Sequence, residues 1–350
     1  MPDITIRGAG IFGLATAWAC AQKGATVRII DPNGPASGAS GGIVGALAPH
    51  VPENWNPKKQ FQLESLLMAE SFWRGVSDAG GRHSGYVRSG RLQPVADDHA
   101  LALAQARVET ARDLWHGQAE WTLRPASGSP WAPDSPTGQL IYDNLSALLH
   151  PAQACAALVG ALDAKGITVE TDGPSDGPSD GPSDGPTLWA TGIVGLQELN
   201  QTAARPMGAG VKGQAALLQY DMAGAPQLYA DGLHVIPHAD GTTAIGSTSE
   251  NQYDHLQPDD QLDDIIARAR AAVPALTHAP VIQRWAGVRP RARSRAPMLG
   301  AWPDRPGHFI ANGGFKIGFG MAPKVAETMA ALILEGENTV PPGFEVAASA

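Results

Sequence analysis

The chain has 350 residues, 43% of them apolar and 17% charged, a composition suited to a large buried core shared between two lobes. A net charge of −9 argues against a general nucleic-acid binder, because attraction to phosphate needs clustered cations. The first β-rich run starts near Asp3, leaving no room for a cleavable signal, and no apolar run suffices to cross a bilayer, so a cytoplasmic protein is expected.

Residues 3–31 carry the strongest local signal. A β-rich run leads into Gly8-Ala9-Gly10-Ile11-Phe12-Gly13, an apolar helical stretch follows, and a second β-rich run ends on Asp31. Gly8 permits a tight turn, Gly10 lets backbone approach a pyrophosphate, and Gly13 lets helix pack closely on strand. The helix beginning near Ile11 and Phe12 presents free N–H groups and a positive dipole end to the diphosphate. Asp31, eighteen residues after Gly13, is spaced to accept hydrogen bonds from ribose hydroxyls. The unit as a whole predicts a dinucleotide site.

Gly34–Gly45 follows, rich in small residues, and Ala39, Ser40, Gly41 and Gly42 can press backbone against a flat or phosphorylated ligand. Lys58–Gly75 carries apolar residues at Phe61, Leu63, Leu66, Leu67, Ala69, Phe72 and Trp73, the spacing of an amphipathic helix. Residues 86–95 read as a β-hairpin and 97–116 as an alanine-rich helix. His150–Gly166 reads as a helix with Pro151 in its first turn. Cys20 and Cys155 sit in alanine-rich helical patterns and read as core residues rather than a disulfide or metal pair, so no metal is expected. Over 172–186 a DGPS unit repeats; proline and glycine in every unit forbid helix and ladder, predicting a solvent-exposed, disordered connection.

Thr187–Gly192 reads as a short strand ending in a small-residue turn. Residues 213–220, 233–237 and 242–246 read as strands of a separate antiparallel sheet, with Asp240-Gly241 marking a hairpin turn. A helix over 259–273 and a strand over 308–311 precede the glycine-rich 312–320, and a last helix is expected from Pro323 to Glu335 with the proline in its first turn. The predicted class is α/β (α+β overall): a Rossmann-like nucleotide lobe in pieces 1–80, 141–205 and 301–350, and a mainly antiparallel substrate lobe in pieces 81–140 and 206–300.

In this order the landmarks resemble the flavin-dependent D-amino-acid oxidase and glycine oxidase superfamily over most of the chain. GAGIFG with Asp31 is similar to its FAD fingerprint, GASGGIVGALAP (38–49) to its second flavin loop, and LWATG (188–192) to its ATG turn. KGQ (212–214) resembles the start of its substrate sheet, VIPHADGTTAIGST (235–248) its hairpin, WAGVRPRARSRAPMLG (285–300) its arginine segment and NGGFKIGFGMAP (312–323) its closing loop. The flavour is that of glycine oxidase and of the oxidase half of the bifunctional enzyme that modifies the tRNA wobble uridine, without a counterpart to its methyltransferase half.

The resemblance implies noncovalent FAD and hydride transfer to it from the carbon beside an amine, leaving an imine that water hydrolyses. It places the flavin against the residues already named and against Thr191, Gly192, Gly314, Lys316, Gly318, Phe319, Gly320 and Met321. Backbone N–H groups of the Gly318–Met321 turn, ahead of a helix, suit negative charge on the reduced ring. Arg289 stands where the family binds the substrate carboxylate, and Lys316 where glycine oxidases often carry a second arginine. His234 replaces a family tyrosine, His50 is a further pocket candidate, and His238 reads as structural. Arg291, Arg293 and Arg295 read as a solvated basic edge or as contacts to a strongly anionic substrate, and Trp285 reads as core. The DGPS repeat stands where relatives place a β-meander touching the adenine side, so FAD affinity is weakened or the lobe simply trimmed. The expected substrate is a small carboxylate-bearing amine, glycine-like or N-substituted glycine. The alternatives are an RNA-linked carboxymethylaminomethyl group, or no substrate at all in a flavoprotein subunit of a larger complex. Oxygen or another acceptor, and the oligomeric state, stay open.

Overall fold

In the computed structural model the described residues are 2–126, 128–172, 185–303 and 305–350. The repeat expected to be an exposed connection lies, but for its ends, outside the described residues.

The chain opens with strand β1 (Ile4–Arg7), helix α1 (Ile11–Gln22) and strand β2 (Val27–Ile30). Gly8 turns the chain at φ +98°, and a Cβ there would sit 2.4 Å from the Ala190 carbonyl oxygen. A Cβ on Gly13 would sit 1.9 Å from the Gly8 carbonyl oxygen, so only glycine lets α1 lie this close to the turn. Nearly every residue of α1 is buried, as a helix enclosed on all sides requires. Cys20 and Cys155 are buried free thiols, and burial pushes both up to about 12.

Short strand β3 (Gly45–Leu47) precedes α2 (Pro57–Gly80). Asn56 caps α2 by accepting from the Lys59 N–H, Pro57 opens it, and Gly81 at φ 63° ends it. Strand β4 (Arg91–Pro94), helix α3 (Asp98–Leu114) and strands β5 (Trp121–Pro125), β6 (Gln139–Asp143) and β7 (Ala147–Leu149) follow. Then come α4 (Pro151–Asp163), β8 (Val169–Glu170), β9 (Thr187–Trp189), α5 (Gly192–Thr202), β10 (Gly208–Leu218) and β11 (Gln227–Ala230). The rest is β12 (Leu233–Pro237), β13 (Thr243–Gly246), α6 (Asp260–Ala272), β14 (Val281–Ala292), β15 (Met298–Ala301), β16 (His308–Asn312) and α7 (Gly318–Glu335).

Two large sheets organise these elements. The first runs β15-β16-β9-β1-β2-β8 and is parallel except at β15. Helices α1, α2, α4 and α7 pack together against it and share its core. The second runs β14-β10-β13-β12-β11-β4-β6-β5 and is antiparallel except where β11 meets β4. Helix α6 covers part of it through Leu262, Ile265, Ile266 and Ala269. Its longest ladder pairs β10 with β14 from Gly208 opposite Ala292 to Leu218 opposite Val281.

Three expectations change. Residues 86–95 are no hairpin: Val87 bridges Leu148, Gly90 turns at φ 81°, and β4 pairs instead with β6 and β11. Those long-range partners outcompete a local one. The last helix starts at Gly318, so Pro323 lies inside α7 rather than in its first turn. Proline's φ is already helical, and its missing N–H leaves only the Phe319 carbonyl without an intrahelical donor. Trp285 is only partly core: half-buried, it packs against the cluster around Ile43 and Ala215 and also lines a cavity, its ring over Gly42.

Candidate active site

A cavity of about 950 Å³ runs between the two sheets. At one end lies the α1 turn. The Ala9 N–H donates to Asp31 Oδ2 at 2.8 Å, the Asn33 N–H to Asp31 Oδ1 at 3.0 Å, and the Ile11 N–H to Ser40 Oγ at 3.0 Å. The loop carrying Ala39, Ser40 and Gly42 forms one wall, and Thr191 and Gly192 at the start of α5 form another. Gly314, Lys316, Gly318 and Phe319 close the cavity, together with Gly8, Gly10, Ile11, Phe12 and Asp31. Gly13, Gly41, Gly320 and Met321 stand behind this surface: Gly13 against the Gly8 carbonyl, Gly41 against the Ala36 carbonyl, and Gly320 and Met321 buried in α7.

At the other end β14 presents Arg289 and β12 presents His234. Arg289 is 9% exposed. Its Nη2 donates to Ser247 Oγ at 2.6 Å and its Nη1 to the Thr248 carbonyl at 3.4 Å. Among the described residues no carboxylate forms an ion pair with it. Burial lowers its pKa to about 10, with Glu250 opposing, so the guanidinium stays charged in neutral solution. Lys316 also lines the cavity, with Nζ 5.8 Å from the Phe315 ring centroid; burial and then Arg289 lower its pKa.

His234 is held neutral. Burial first, then Arg91, Lys316 and Arg289, push its pKa down to about 3, and among the described residues its buried Nδ1 has no hydrogen-bond partner. His50 stands off the cavity wall: its backbone N–H donates to Gln62 Oε1 at 2.8 Å and its Nδ1 meets the same oxygen. Arg291, Arg293 and Arg295 also leave the cavity. Arg291 donates to Asn251 Oδ1 at 3.1 Å, Arg293 to the Ala350 carbonyl, and Arg295 turns at φ 61°.

Three residues emerge that sequence reading did not single out. Tyr229 on β11 faces His234 in register, ring centroids 4.9 Å apart, and lines the cavity. Ser247 holds Arg289 from the end of β13. Gly213 leaves the space that the guanidinium fills, since a Cβ there would sit 1.8 Å from Nη2. Only strand register reveals the first two; the KGQ motif could have flagged the third. Gly213→Ala is expected to push the arginine end aside and raise KM about tenfold, roughly 1.4 kcal/mol, with the flavin spectrum unchanged.

Beneath Arg289 lies a buried charge network. Lys212 Nζ meets Asp259 Oδ2 at 2.8 Å and Glu250 Oε2 at 3.4 Å, while Gln214 Nε2 donates to both acids. Thr248 Oγ1 donates to Glu250 and accepts from the Gln214 N–H, which fixes the segment whose carbonyl Arg289 contacts.

A protein-family model described as FAD dependent oxidoreductase (DAO) matches residues 3–332. The chain belongs to this family. This FAD-dependent oxidoreductase is 31% identical to glycine oxidase of Pseudomonas putida over 134 residues, 38% of this chain and 37% of that one. Glycine oxidase of Geobacillus kaustophilus is 24% identical over 370 residues, covering 96% of this chain and 94% of that one. The crystal structure of glycine oxidase from Geobacillus kaustophilus shares the fold at a TM-score of 0.84 and 20% identity, over 99% and 98% of the two chains. Among the described residues no helix is long and apolar enough to cross a membrane.

The residues at the nucleotide end fit FAD. A Cβ on Gly10 would come within 3.1 Å of Ser40 Oγ, so the bare backbone here keeps the approach to α1 open. Each Asp31 oxygen accepts one backbone N–H and keeps a lone pair for a ribose hydroxyl. Ser40, whose oxygen accepts from Ile11, keeps its proton for a phosphate oxygen. Gly318 and Phe319 begin α7, where backbone N–H groups lack intrahelical partners and face the cavity.

Proposed function

We propose that this oxidoreductase oxidises the C–N bond of a small carboxylate-bearing amine, glycine-like or an N-substituted glycine. Arg289 carries the reading: a buried, charged guanidinium on the cavity wall that no described carboxylate pairs. A buried cation persists at a cost unless a ligand neutralises it, and a carboxylate is the geometric match for its fork. The kinship with glycine oxidases supports the same choice.

Bound FAD supplies the hydride acceptor. Arg289 has committed one N–H each to Ser247 and Thr248, which leaves three for the substrate carboxylate. Lys316 adds a second positive charge, and neutral His234 offers a hydrogen bond without adding another. Two cations beside the bound amine disfavour its ammonium form, so the reacting nitrogen keeps the lone pair that assists hydride departure. No catalytic base is required. The N–H groups of Gly318 and Phe319 at the start of α7 would stabilise negative charge on a bound, reduced flavin. In this reading 1–80, 141–205 and 301–350 hold the cofactor, and 81–140 and 206–300 hold the substrate.

Anaerobic titration of the purified yellow protein with glycine, N-methylglycine and related amines is expected to bleach the flavin. Admission of air then reports whether oxygen takes the electrons. A flavin that stays oxidised with every carboxylate-bearing amine overturns the reading.

A further inference from the structure

Behind the cavity wall three ligand-bearing side chains converge from separate parts of the chain. His150 immediately precedes α4, and His238 and Asp240 lie in the turn from β12 to β13. One ligand atom from each lies within 4.8 Å of the other two, and the imidazole centroids are 4.6 Å apart. His238 is 1% exposed. His238 Nε2 and His150 Nδ1 are both buried, and among the described residues neither has a hydrogen-bond partner.

The hydrogen bonds fix which tautomer His238 adopts. Thr242 Oγ1 donates its single proton to Asp240 Oδ1 at 2.6 Å, so toward His238 Nδ1, 3.1 Å away, it can only accept. The proton of His238 is therefore on Nδ1, and Nε2 presents a bare lone pair. The Ile43 carbonyl is a further acceptor against the same ring, favouring its protonated form. The His238 lone pair and the Asp240 carboxylate thus converge beside His150 Nδ1. A cation at the centre would take all three as ligands once His150 carries its proton on Nε2.

We propose that His150, His238 and Asp240 bind one divalent transition-metal ion, with Zn²⁺ as the representative probe. Two imidazoles and a carboxylate, with water in a fourth position, make a known zinc donor set. Tetrahedral bonds of about 2.0–2.1 Å put ligand atoms roughly 3.4 Å apart, so the trio must close by a little over ~1 Å at its widest. Asp240 is the exposed member of the trio and has the most room to move. Outer partners are already present: Thr242 holds one carboxylate oxygen of Asp240, and Gln153 Nε2 donates to the other at 2.7 Å. The ion would brace the cavity. Pro151, next to His150, and Ile43, beside His238, both line it, so the metal would join the β12–β13 turn to the wall around the flavin. The proposal holds whatever amine the site oxidises.

The test uses tag-free, FAD-loaded protein stripped with a chelator and titrated with Zn²⁺ by calorimetry and thermal melting. One equivalent should bind, and the melting temperature should rise. His150→Gln and Asp240→Asn should each weaken binding at least tenfold, with the flavin spectrum reporting that each variant is folded. Absence of saturable uptake by the unsubstituted chain overturns the site and leaves a water molecule as the occupant. Equal uptake by that chain and both variants also overturns it, placing the ion elsewhere among the ten histidines.

Discussion

Replacing Arg289 with alanine is expected to lower kcat/KM for a carboxylate-bearing amine by about 10²–10³-fold, mostly through KM. Removing one member of a buried charge pair costs about 3–5 kcal/mol in comparable settings, and each 1.4 kcal/mol is a factor of ten. The loss falls on KM because the carboxylate is gripped before and during hydride departure alike. Arg289→Lys keeps the charge but not the fork, and should recover only part of the loss. Stability should move the other way. Arg289 is buried, and no described carboxylate forms an ion pair with it, Glu250 acting only through space, so the alanine variant should melt at or above the temperature of the unsubstituted protein. A variant that turns over amines with unchanged KM would remove the carboxylate assignment while leaving the flavin assignment intact.

The second large effect is on acid stability. His234 falls from an ordinary value of 6.5 to about 3 in the fold, first through burial and then through the cations around it. Below pH 6.5 the unfolded chain binds a proton there that the native chain refuses until about pH 3. Its contribution is therefore fully present above 6.5 and is lost as pH falls toward 3. Between pH 7 and pH 5 this one residue should account for about 2 kcal/mol of lost stability. Urea unfolding of the FAD-loaded protein at both values measures it, with His234→Gln as the control. The glutamine variant should lose markedly less stability over that interval; parallel losses in the two proteins would mean that His234 is not held neutral. In turnover, His234 should contribute no ionisation between pH 5 and 9.

The parts legible in the sequence are those whose determinants are local. The β1–α1–β2 unit could be read because Gly8, Gly10, Gly13 and Asp31 meet their steric and polar demands within one short stretch. Arg289 could be read because a family pattern marks it. What failed depended on distant partners. Residues 86–95 carry hairpin-like composition, yet Val87 and β4 pair with strands far along the chain. Helix α5 went unread because its glycine-opened sequence GIVGLQELNQT looks like the tail of a turn. Tyr229 becomes a site residue only through its register opposite His234, and His50 looked like a pocket residue by position alone while its ring points to Gln62. His150 lies 88 positions before His238, and no pattern along the chain announces its meeting with His238 and Asp240.

The long β10–β14 ladder has one further consequence. Just past Arg289, the Pro290 carbonyl accepts from the Phe315 N–H at 3.0 Å, and Arg291 bridges Gly314. The strand that carries Arg289 and the loop that leads into α7 are thus stitched together by adjacent peptide groups. Such stitching acts as a ruler. With a carboxylate held by Arg289, as proposed, chain length between carboxylate and amine would decide which carbon reaches the ring. An α-amine and its one-carbon-longer β homologue would then differ in reach far more than in charge or polarity, and the enzyme would select by measuring rather than by affinity alone.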